Sequence, residues 1–445
     1  MYQNKCRCAV QLVGGELTES NSCNIIHSMN KSYSQDELYY SRWLTEHLKD
    51  ALETHAVIVL TGARQVGKST LLRNEEPFRS WRYHTFDDLE TLEQARTNPT
   101  SLWAGTENIV LDEVQRAPEV LLAVKQAIDT HPKKYRFVLS GSANLLLMQQ
   151  VSESLAGRAV YFVLHPLTLG EQHRQPPPPL LTDLLSAQWP SESLVATQPP
   201  EPGSFLLRGA MPGLVALTAP AAWLRWWEGY ILTYLERDLR QIAQIDALLD
   251  YRRLMELLAL HTGQLLNQSE IGRDAGLTQP TAHRYINLLE TTHLLERLAP
   301  YTAGRIQRLV KSSKVFWTDP ALPVFLSGYF DEESLRTSRE FGSFFEALVY
   351  QHLRVLSELM VPKARLYFWR TRTGQEVDFV VEQGKKLLAI EVKLTKNPHY
   401  QDTAGLRSFL ETHKSAQGGV LLHAGKEIRY LDERIIAIPW TLITG

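Results

Sequence analysis

Residues 62–70 read GARQVGKST, and this stretch decides the fold of the first part of the chain. It matches the phosphate-binding pattern G-x-x-x-x-G-K-[ST], in which glycines allow a tight turn and backbone amides point at phosphate groups. An apolar run at 57–60 precedes it and a helical stretch follows, which is the strand–loop–helix context that the motif requires. We therefore expect ATP to bind to this loop. The expected binding residues are Gly62, Ala63, Arg64, Gln65, Val66, Gly67, Lys68, Ser69 and Thr70.

A second, acidic motif supports this interpretation. Residues 109–113 read IVLDE, an apolar run that ends in Asp112 and Glu113. Lys68 can reach the β- and γ-phosphates, while Ser69 and Asp112 are expected to hold Mg²⁺, Asp112 through its waters. Glu113 is expected to polarise the attacking water as the general base. Either motif alone would also suit a buried strand with solvated acids at its end, but the pair in this order favours nucleotide binding.

Short apolar runs alternate with helical stretches over residues 36–171. An amphipathic helix is expected at 36–54. Strands are expected at 56–60, 83–86, 109–111, 137–139 and 160–163. Strands that alternate with helices favour a mostly parallel sheet covered on both faces. The expected fold class is therefore multidomain α/β, with a P-loop ATPase domain over residues 36–171.

Two further positions are candidates for the ATP site. Ser140 ends a strand within FVLSGS, residues 137–142, and can sense the γ-phosphate or place the attacking water. A simple strand-ending turn is the alternative. Arg158 ends SLAGR, residues 154–158, and is a candidate arginine finger or sensor. A solvated surface arginine is the alternative there.

Several stretches together resemble a known family. They are LTGARQVGK at 60–68, LDEVQ at 111–115, SGS at 140–142, SLAGR at 154–158 and YLERDL at 234–239. From about residue 38 to 440, the chain resembles the prokaryotic AAA-type ATPases that carry a C-terminal domain of unknown function, DUF4143. The resemblance implies an ASCE-type ATPase core, a winged helix and a nuclease-like C-terminal domain. It implies no settled biological role.

The middle of the chain is expected to hold three segments. Residues 172–204 are rich in proline and suit an extended linker or a surface loop, residues 205–265 are helical, and residues 266–318 suit a winged helix-turn-helix. Positive charge beside a recognition-type helix suits DNA phosphates and base edges. A packing role, with cations that only solvate the hairpin, is the alternative. The groove-facing candidates are Gln279, Thr281, His283, Arg284 and Asn287, and the wing cations are Arg297, Arg305, Arg308, Lys311 and Lys314.

Acids and a lysine in the last segment, residues 319–445, suggest a second site. Strand side chains alternate, so Glu391 and Lys393 share one face, and a hairpin can bring Asp378 opposite them. Asp378 and Glu391 would hold Mg²⁺, with Glu346 as an added ligand or support. Lys393 would orient the water or stabilise charge on phosphate. The set resembles the PD-(D/E)xK nuclease superfamily, which implies a restriction-endonuclease-like domain; the alternatives are an ordinary exposed hairpin or an inactive nuclease fold.

Composition limits the other function classes. The 445 residues carry a formal net charge of −2, so no whole-protein basic field points to nucleic acid. No apolar run approaches the roughly 18 residues that span a bilayer, so no membrane partner is expected. The three cysteines lie within the first 23 residues, which favours a reducing, cytoplasmic setting without disulfides or zinc. Residues 1–35 are expected to be a disordered leader, with Met29 as a possible true start.

These features predict an ATP-hydrolysing AAA-type protein that acts on DNA and carries a Mg²⁺-dependent nuclease domain. The alternative is a nucleotide-controlled switch that binds DNA or protein, or a transcriptional regulator, with an inactive nuclease fold. ATP and Mg²⁺ are the expected cofactors and DNA is the expected partner. Assembly into a homo-oligomer is left open.

Overall fold

A parallel sheet forms the first part of the fold. The computed structural model describes residues 39–142, 155–191, 200–233, 248–302 and 312–445. The strands of this sheet are β1 Val57–Thr61, β2 Arg82–Thr85, β3 Asn108–Asp112, β4 Arg136–Ser140 and β5 Ala159–Val163. They lie in the order β2-β3-β4-β1-β5, and each neighbouring pair is parallel. The α/β class with a parallel sheet is thus confirmed for this region.

Helices cover this sheet on both faces. They are α1 Leu44–Thr54, α2 Lys68–Asn74, α3 Leu89–Thr97 and α4 Val120–Thr130. The first two pack on the face lined by Ile58 and Leu60, and the other two on the face lined by Val57 and Val59. Successive residues of a strand point to opposite faces, so all five residues of β1 are buried.

Helix α1 is shorter than the sequence predicts. The expected helix spans 36–54, but α1 begins at Leu44, and residues 36–38 lie outside the described part of the chain. The side chain of Arg42, just before the helix, forms hydrogen bonds with the segments that follow β1 and β5. Its guanidinium donates to the carbonyl oxygens of Val66 at 2.9 Å and His165 at 2.5 Å, and to the Glu171 carboxylate at 3.2 Å.

The proline-rich segment is not simply an extended linker. Residues 173–179 are not helical, but the stretch after them forms a short helix. The helices here are α5 Leu169–Gln172, α6 Leu180–Leu185 and α7 Pro202–Arg208. Leu181, Leu184 and Leu185 are buried in the core of the C-terminal region. Because α6 has an apolar face that packs against this core, the extended linker or surface loop expected over 172–204 is wrong for this part of the chain. Residues 192–199 lie outside the described ranges.

The middle region is helical and ends in a pair of strands. Its helices are α8 Pro212–Val215, α9 Pro220–Thr233, α10 Leu248–Leu260, α11 Gln268–Asp274 and α12 Gln279–Thr291. The strands β6 Leu295–Leu298 and β7 Lys314–Trp317 pair antiparallel. Gly276 adopts φ +73° between α11 and α12, and the Thr278 hydroxyl caps α12 by accepting from the Thr281 amide. Helix, turn, helix and two strands follow one another as expected, with 234–247 and 303–311 outside the described residues.

The C-terminal region is built on a mixed sheet of six strands. Helices α13 Ala321–Leu326 and α14 Glu332–Thr337 lead into the long helix α15 Phe341–Leu359. The later elements are β8 Arg365–Arg370, β9 Glu376–Gln383, β10 Lys386–Lys393, α16 Ala404–Thr412, β11 Gly418–His423, β12 Arg429–Asp432 and β13 Ile435–Pro439. The strands take the order β12-β13-β11-β10-β9-β8, in which β10 is antiparallel to β9 and parallel to β11.

Helices α15 and α16 pack on opposite faces of this sheet. Phe379 and Ile390 belong to the core under α15, while Val380 and Ala389 belong to the core under α16. The hairpin of β9 and β10 therefore lies between the two helices. None of the described helices, including α15 with its 19 residues, is both long and apolar enough to cross a bilayer.

Candidate functional site: an ATP-binding loop and a C-terminal carboxylate cluster

The phosphate-binding loop has the backbone shape that its glycines predict. Gly62 adopts φ +141°, and a Cβ atom there would lie 2.3 Å from the Leu164 carbonyl oxygen, so only glycine fits. Gly67 adopts φ +98° immediately before α2. The buried Lys68 ammonium donates to the carbonyl oxygens of Gly62 and Ala63, both at 3.0 Å. Phosphate is a stronger acceptor for an ammonium than a neutral carbonyl, so the phosphates of a bound nucleotide can replace these two carbonyl oxygens as partners of Lys68.

Asp112 lies beside the loop with one carboxylate oxygen unpaired. It ends β3 and is 2% exposed, and its Oδ1 atom has no hydrogen-bond partner among the described residues. Its Oδ2 atom accepts from the Tyr83 hydroxyl, which also interacts with Ser69. Burial and the Asp112 carboxylate raise the pKa of Tyr83 well above its ordinary value, so the phenol stays protonated. A buried, unpaired carboxylate oxygen near a loop serine fits Mg²⁺, which Ser69 and Asp112 would hold.

Glu113 is held by a glutamine from its own motif. Its backbone adopts φ +57°, which is uncommon for a residue other than glycine. The Gln115 amide donates to the Glu113 carboxylate and, at 3.0 Å, to the Ser142 hydroxyl that follows β4. Burial, and after it the Asp112 carboxylate, raise the pKa of Glu113 above its ordinary value. A carboxylate with a raised pKa is a stronger base, which suits the proton-accepting role expected of Glu113.

Ser140 lies between the two motifs. It ends β4 and pairs with Leu60, just before the loop. The residue is 1% exposed, and its hydroxyl has no hydrogen-bond partner in the part of the chain that the structure describes. The structure thus brings Ser140 next to the loop, while its part in sensing phosphate stays a prediction.

Arg158 is far from the loop of its own chain. It precedes β5, whose first residue Ala159 pairs with Val57 at the start of β1, whereas the loop follows the end of β1. Parallel strands rise about 3.3 Å per residue, so β1 separates the two by roughly 16 Å. Arg158 instead forms an ion pair with Asp129, at 2.6 Å. Because β5 runs parallel to β1, Arg158 lies at the start of these strands and the loop lies at their end, so a sensor role in the same chain is wrong. An arginine-finger role towards another subunit stays a prediction.

Arg42 and Tyr83 contact the candidate ATP site although no sequence motif marks them. Arg42 reaches the carbonyl oxygen of Val66 in the loop, and Tyr83 reaches Asp112. A tyrosine in a short apolar run suggests a core residue, and an arginine within the helix expected at 36–54 suggests surface charge. Their partners follow from strand order, because β2 lies beside β3 and the loop lies beside the end of β5.

Family models match three parts of the chain. Residues 54–173 match an AAA domain, and residues 341–443 match a domain of unknown function, DUF4143. The chain thus carries an AAA domain and a DUF4143 domain. Residues 203–333, between the two, match another domain of unknown function, DUF8612. The AAA-domain match and the loop geometry together support nucleotide binding with a divalent metal and ATP hydrolysis.

Similar proteins include two mycobacterial relatives and several solved structures. Uncharacterized proteins from Mycobacterium tuberculosis and Mycobacterium bovis are each 29% identical over 394 residues, covering 88% of this chain and 82% of the relative. The Walker-type ATPase of Pyrococcus abyssi is 17% identical with a TM-score of 0.43, covering 65% of this chain and 96% of that one. A DNA polymerase III gamma subunit-related protein from Thermotoga maritima is 11% identical with a TM-score of 0.25, covering 56% and 97%. At TM-scores this low, neither structure bears on function.

A buried polar network joins the AAA domain to the DUF4143 domain. His165, two residues after β5, lies 3.3 Å from the Glu358 carboxylate on α15 and 3.8 Å from Glu296 on β6. Arg354 pairs with Glu296 at 3.0 Å and with Glu358 at 2.6 Å. Burial would raise the pKa of Glu358, but His165 and Arg354 outweigh it and lower this pKa to about 2. The three matched parts of the chain therefore meet at one ion-pair network.

The second helix of the helix–turn–helix leaves part of its predicted groove face exposed. Gln279, His283 and Arg284 are exposed on α12. The wing cation Arg297 pairs with Glu290 at 2.6 Å, so its charge is already balanced within the protein. Outside the described part of the chain lie three further wing cations, Arg305, Arg308 and Lys311.

Four carboxyl groups meet near the hairpin of β9 and β10. This carboxylate cluster consists of Glu346, Glu376, Asp378 and Glu391. The Asp378 carboxylate accepts from the Val392 amide at 2.8 Å, which holds it opposite Glu391 as the hairpin predicts. Lys393 donates to Glu391 at 2.7 Å. The predicted set is thus brought together, and Glu376 joins it because it shares strand parity with Asp378.

Lys314 lies inside the carboxylate cluster. Its ammonium nitrogen is 2.9 Å from Glu346, 2.6 Å from Glu376 and 3.7 Å from Asp378, and 4% of the side chain is exposed. Burial would lower the pKa of Lys314, but the three carboxylates outweigh it and raise this pKa above its ordinary value. The prediction of Lys314 as a DNA-facing wing cation is wrong, because β7 lies against the C-terminal region and directs the lysine into its acids.

The carboxylate cluster does not fit Mg²⁺ as it stands. Anywhere in the described ranges, no three His, Cys, Asp or Glu side chains are placed so that together they could bind one metal ion. Burial, and after it the Asp378 carboxylate, raise the pKa of Glu346 and of Glu391 well above the ordinary value, so the cluster disfavours the charged form of both acids. The Mg²⁺ site predicted at Asp378 and Glu391 is therefore not formed in this structure, because a lysine already lies among the acids.

Proposed function

We propose that the protein is a Mg²⁺-dependent ATPase that works as a nucleotide-controlled switch. The observation that carries this proposal is the buried, unpaired oxygen of Asp112 beside the phosphate-binding loop. Lys68 would bind the β- and γ-phosphates. Ser69 and Asp112 would hold the metal ion, which neutralises phosphate charge when it is bound. Glu113 would accept the proton of the attacking water, and Ser140 would contact the γ-phosphate or that water.

Two substitutions separate nucleotide binding from hydrolysis. Lys68→Ala removes the charge partner of the phosphates, so ATP affinity measured by calorimetry should fall more than about tenfold. Glu113→Gln keeps the shape but removes the base, so turnover should fall about 10²–10⁴-fold with ATP affinity unchanged. Glu107→Gln, the same change at an exposed acid before β3, is the control and should change neither. Wild-type turnover in Glu113→Gln would show that another group is the base.

The network around His165 supports a switch rather than an ATPase domain that works alone. The loop extends from β1, and the neighbouring strand β5 leads directly to His165. His165 contacts Glu296 and Glu358, which belong to the two other matched parts of the chain. A change at the loop edge on nucleotide binding would therefore alter contacts that hold all three parts together.

DNA is the partner that the middle region fits best. We interpret its helix, turn, helix and strand pair as a winged helix. The exposed Gln279, His283 and Arg284 on α12 carry the hydrogen-bonding and charged groups that contact base edges and phosphates. Because the net charge of the chain is −2, binding would depend on this local surface.

Salt dependence tests the DNA proposal. Affinity for duplex DNA should fall steeply with salt, because each phosphate contact releases counterions. Arg284→Ala should weaken binding and reduce the slope of log affinity against log salt by about one. Arg79→Ala, which removes an exposed arginine of the AAA domain, should leave both unchanged. Equal affinity and slope in the wild type and in Arg284→Ala would leave α12 with a packing role.

A Mg²⁺-dependent nuclease is the second candidate function of the C-terminal domain. The four acids and Lys393 have the residue types for it, but Lys314 among them argues against an active site. We therefore expect supercoiled plasmid to stay intact with Mg²⁺, both with and without ATP. Nicking that Asp378→Ala abolishes would restore the nuclease interpretation.

A further inference from the structure

The Lys314 side chain occupies the place in the carboxylate cluster where a cation would lie. Its ammonium contacts Glu346 on α15 and both Glu376 and Asp378 on β9. The lysine itself is on β7, within residues 203–333, whereas the acids belong to the DUF4143 domain. A side chain from one matched part of the chain is thus the counter-ion of acids in another.

The cluster also contains a carboxylate oxygen that accepts no hydrogen bond from the described residues. Glu391 is 7% exposed, and its Oε2 atom has no hydrogen-bond partner among the described residues. This oxygen faces α16, since a Cβ atom on Gly405 would lie 3.5 Å from it. A buried carboxylate oxygen without a donor is destabilising unless a cation or a proton neutralises it.

An ammonium and a divalent ion cannot share these oxygens. Mg²⁺ binds oxygen at about 2.0–2.1 Å and keeps several waters around it. The Lys314 nitrogen is 2.9 Å from Glu346 and 2.6 Å from Glu376, so it fills the volume that the ion and its waters would need. Its positive charge would also repel a second cation at such close range.

We propose that the Lys314 ammonium is the counter-ion of Glu346, Glu376 and Asp378 and excludes divalent metal ions from the carboxylate cluster. Removal of the ammonium, with most of the side-chain volume retained, should then turn the cluster into a Mn²⁺ site. The proposal is independent of ATP hydrolysis, because the lysine and the acids all lie outside the AAA domain.

Calorimetric titration of the full-length protein with Mn²⁺, without nucleotide, tests the proposal. Asp378→Asn defines the signal, because only binding that this substitution removes is assigned to the cluster. In the wild type we expect no such binding. Lys314→Met should gain one such site, at least tenfold tighter than any in the wild type, and the double variant with Asp378→Asn should lose it.

Two controls separate the position of the charge from its mere presence. Lys314→Arg keeps a cation in the cluster and should gain no Mn²⁺ site. Arg370→Met removes a half-exposed cation 3.5 Å from Glu376, at the rim of the same cluster, and should gain none either. An equal gain in Arg370→Met and Lys314→Met would mean that net charge, not occupancy, controls binding, and the proposal would be wrong.

Two further results overturn the proposal. A wild-type Mn²⁺ site that Asp378→Asn removes would show that Lys314 does not exclude metal, and this arm needs no change at Lys314. A folded Lys314→Met protein that gains no site would show that the acids do not bind a divalent cation even when the lysine is gone. Lys314→Gln is the second variant for the same measurement, in case Lys314→Met does not fold.

Discussion

Two lysines of this protein lie next to acidic residues, and the protein uses them in opposite ways. At the phosphate-binding loop, Lys68 donates to the neutral carbonyl oxygens of Gly62 and Ala63. In the carboxylate cluster, Lys314 is ion-paired with three acids. Phosphate can replace the carbonyls around Lys68, because it is the stronger acceptor. Only another cation can replace Lys314, because its removal leaves buried charges unpaired.

The difference shows that a set of acids identifies a metal-binding site only when the group that balances their charge is also known. Asp112 at the loop and Asp378 in the cluster both lie on strands, beside candidate catalytic groups. Asp112 keeps an oxygen unpaired within the described residues, so a metal ion can join it. Asp378 already has an ammonium 3.7 Å away. Acidic residues predict where negative charge collects, and the surrounding structure decides which cation balances it.

The largest expected effect contrasts the two lysines in stability. Lys314→Met should lower the free energy of unfolding by about 3–5 kcal/mol in metal-free buffer, because it leaves buried carboxylates without a partner. Lys68→Met should lower it less, by about 1–2 kcal/mol without nucleotide, because the hydrogen bonds that it removes go to the neutral carbonyl oxygens of Gly62 and Ala63. Urea unfolding measures both. Equal losses in the two variants would contradict the distinction between them.

A smaller effect concerns pH. Burial and Asp378 raise the pKa of Glu391 to about 8, far above its value in the unfolded chain, so the folded state binds the extra proton. Its stabilising contribution is complete at low pH and is lost as pH rises towards 8. Glu391→Gln removes this proton, so its unfolding free energy relative to the wild type should increase by at least about 1.4 kcal/mol between pH 6.5 and 8.5. Urea unfolding across this range checks it; a constant difference would mean that Glu391 titrates as an ordinary exposed acid.

The smallest effect concerns the loop. Tyr83→Phe removes the hydrogen bond that orients Asp112, worth about 1 kcal/mol. The Mg²⁺ concentration for half-maximal ATPase activity should therefore rise about three- to tenfold, with little change in ATP affinity. Tyr161→Phe, on β5 of the same sheet, is the matched control. If both variants need the wild-type Mg²⁺ concentration, Tyr83 does not position the metal-binding acid.

Most of the ATP site follows from the sequence, because its motifs are local. The loop turns where its glycines are spaced for it, and Asp112 and Glu113 come where an apolar strand ends. Lys68 and Ser140 lie where the motifs predict for the same reason. The pairing of Asp378 with Glu391 is local as well, since two strands joined by a short turn pair in a register that the turn sets.

Tertiary structure alone decided which distant side chains join these groups. Tyr83 meets Asp112 because β2 pairs with β3, and Arg158 is kept from the loop because β5 runs parallel to β1. Lys314 enters the carboxylate cluster because β7 pairs with β6 and lies against the DUF4143 domain. Each of these contacts joins residues far apart in the chain, so no spacing in the sequence encodes it. The order of strands and the packing of whole elements determine such neighbours, and here they determine whether an acid is left for a metal ion or is already balanced by a lysine.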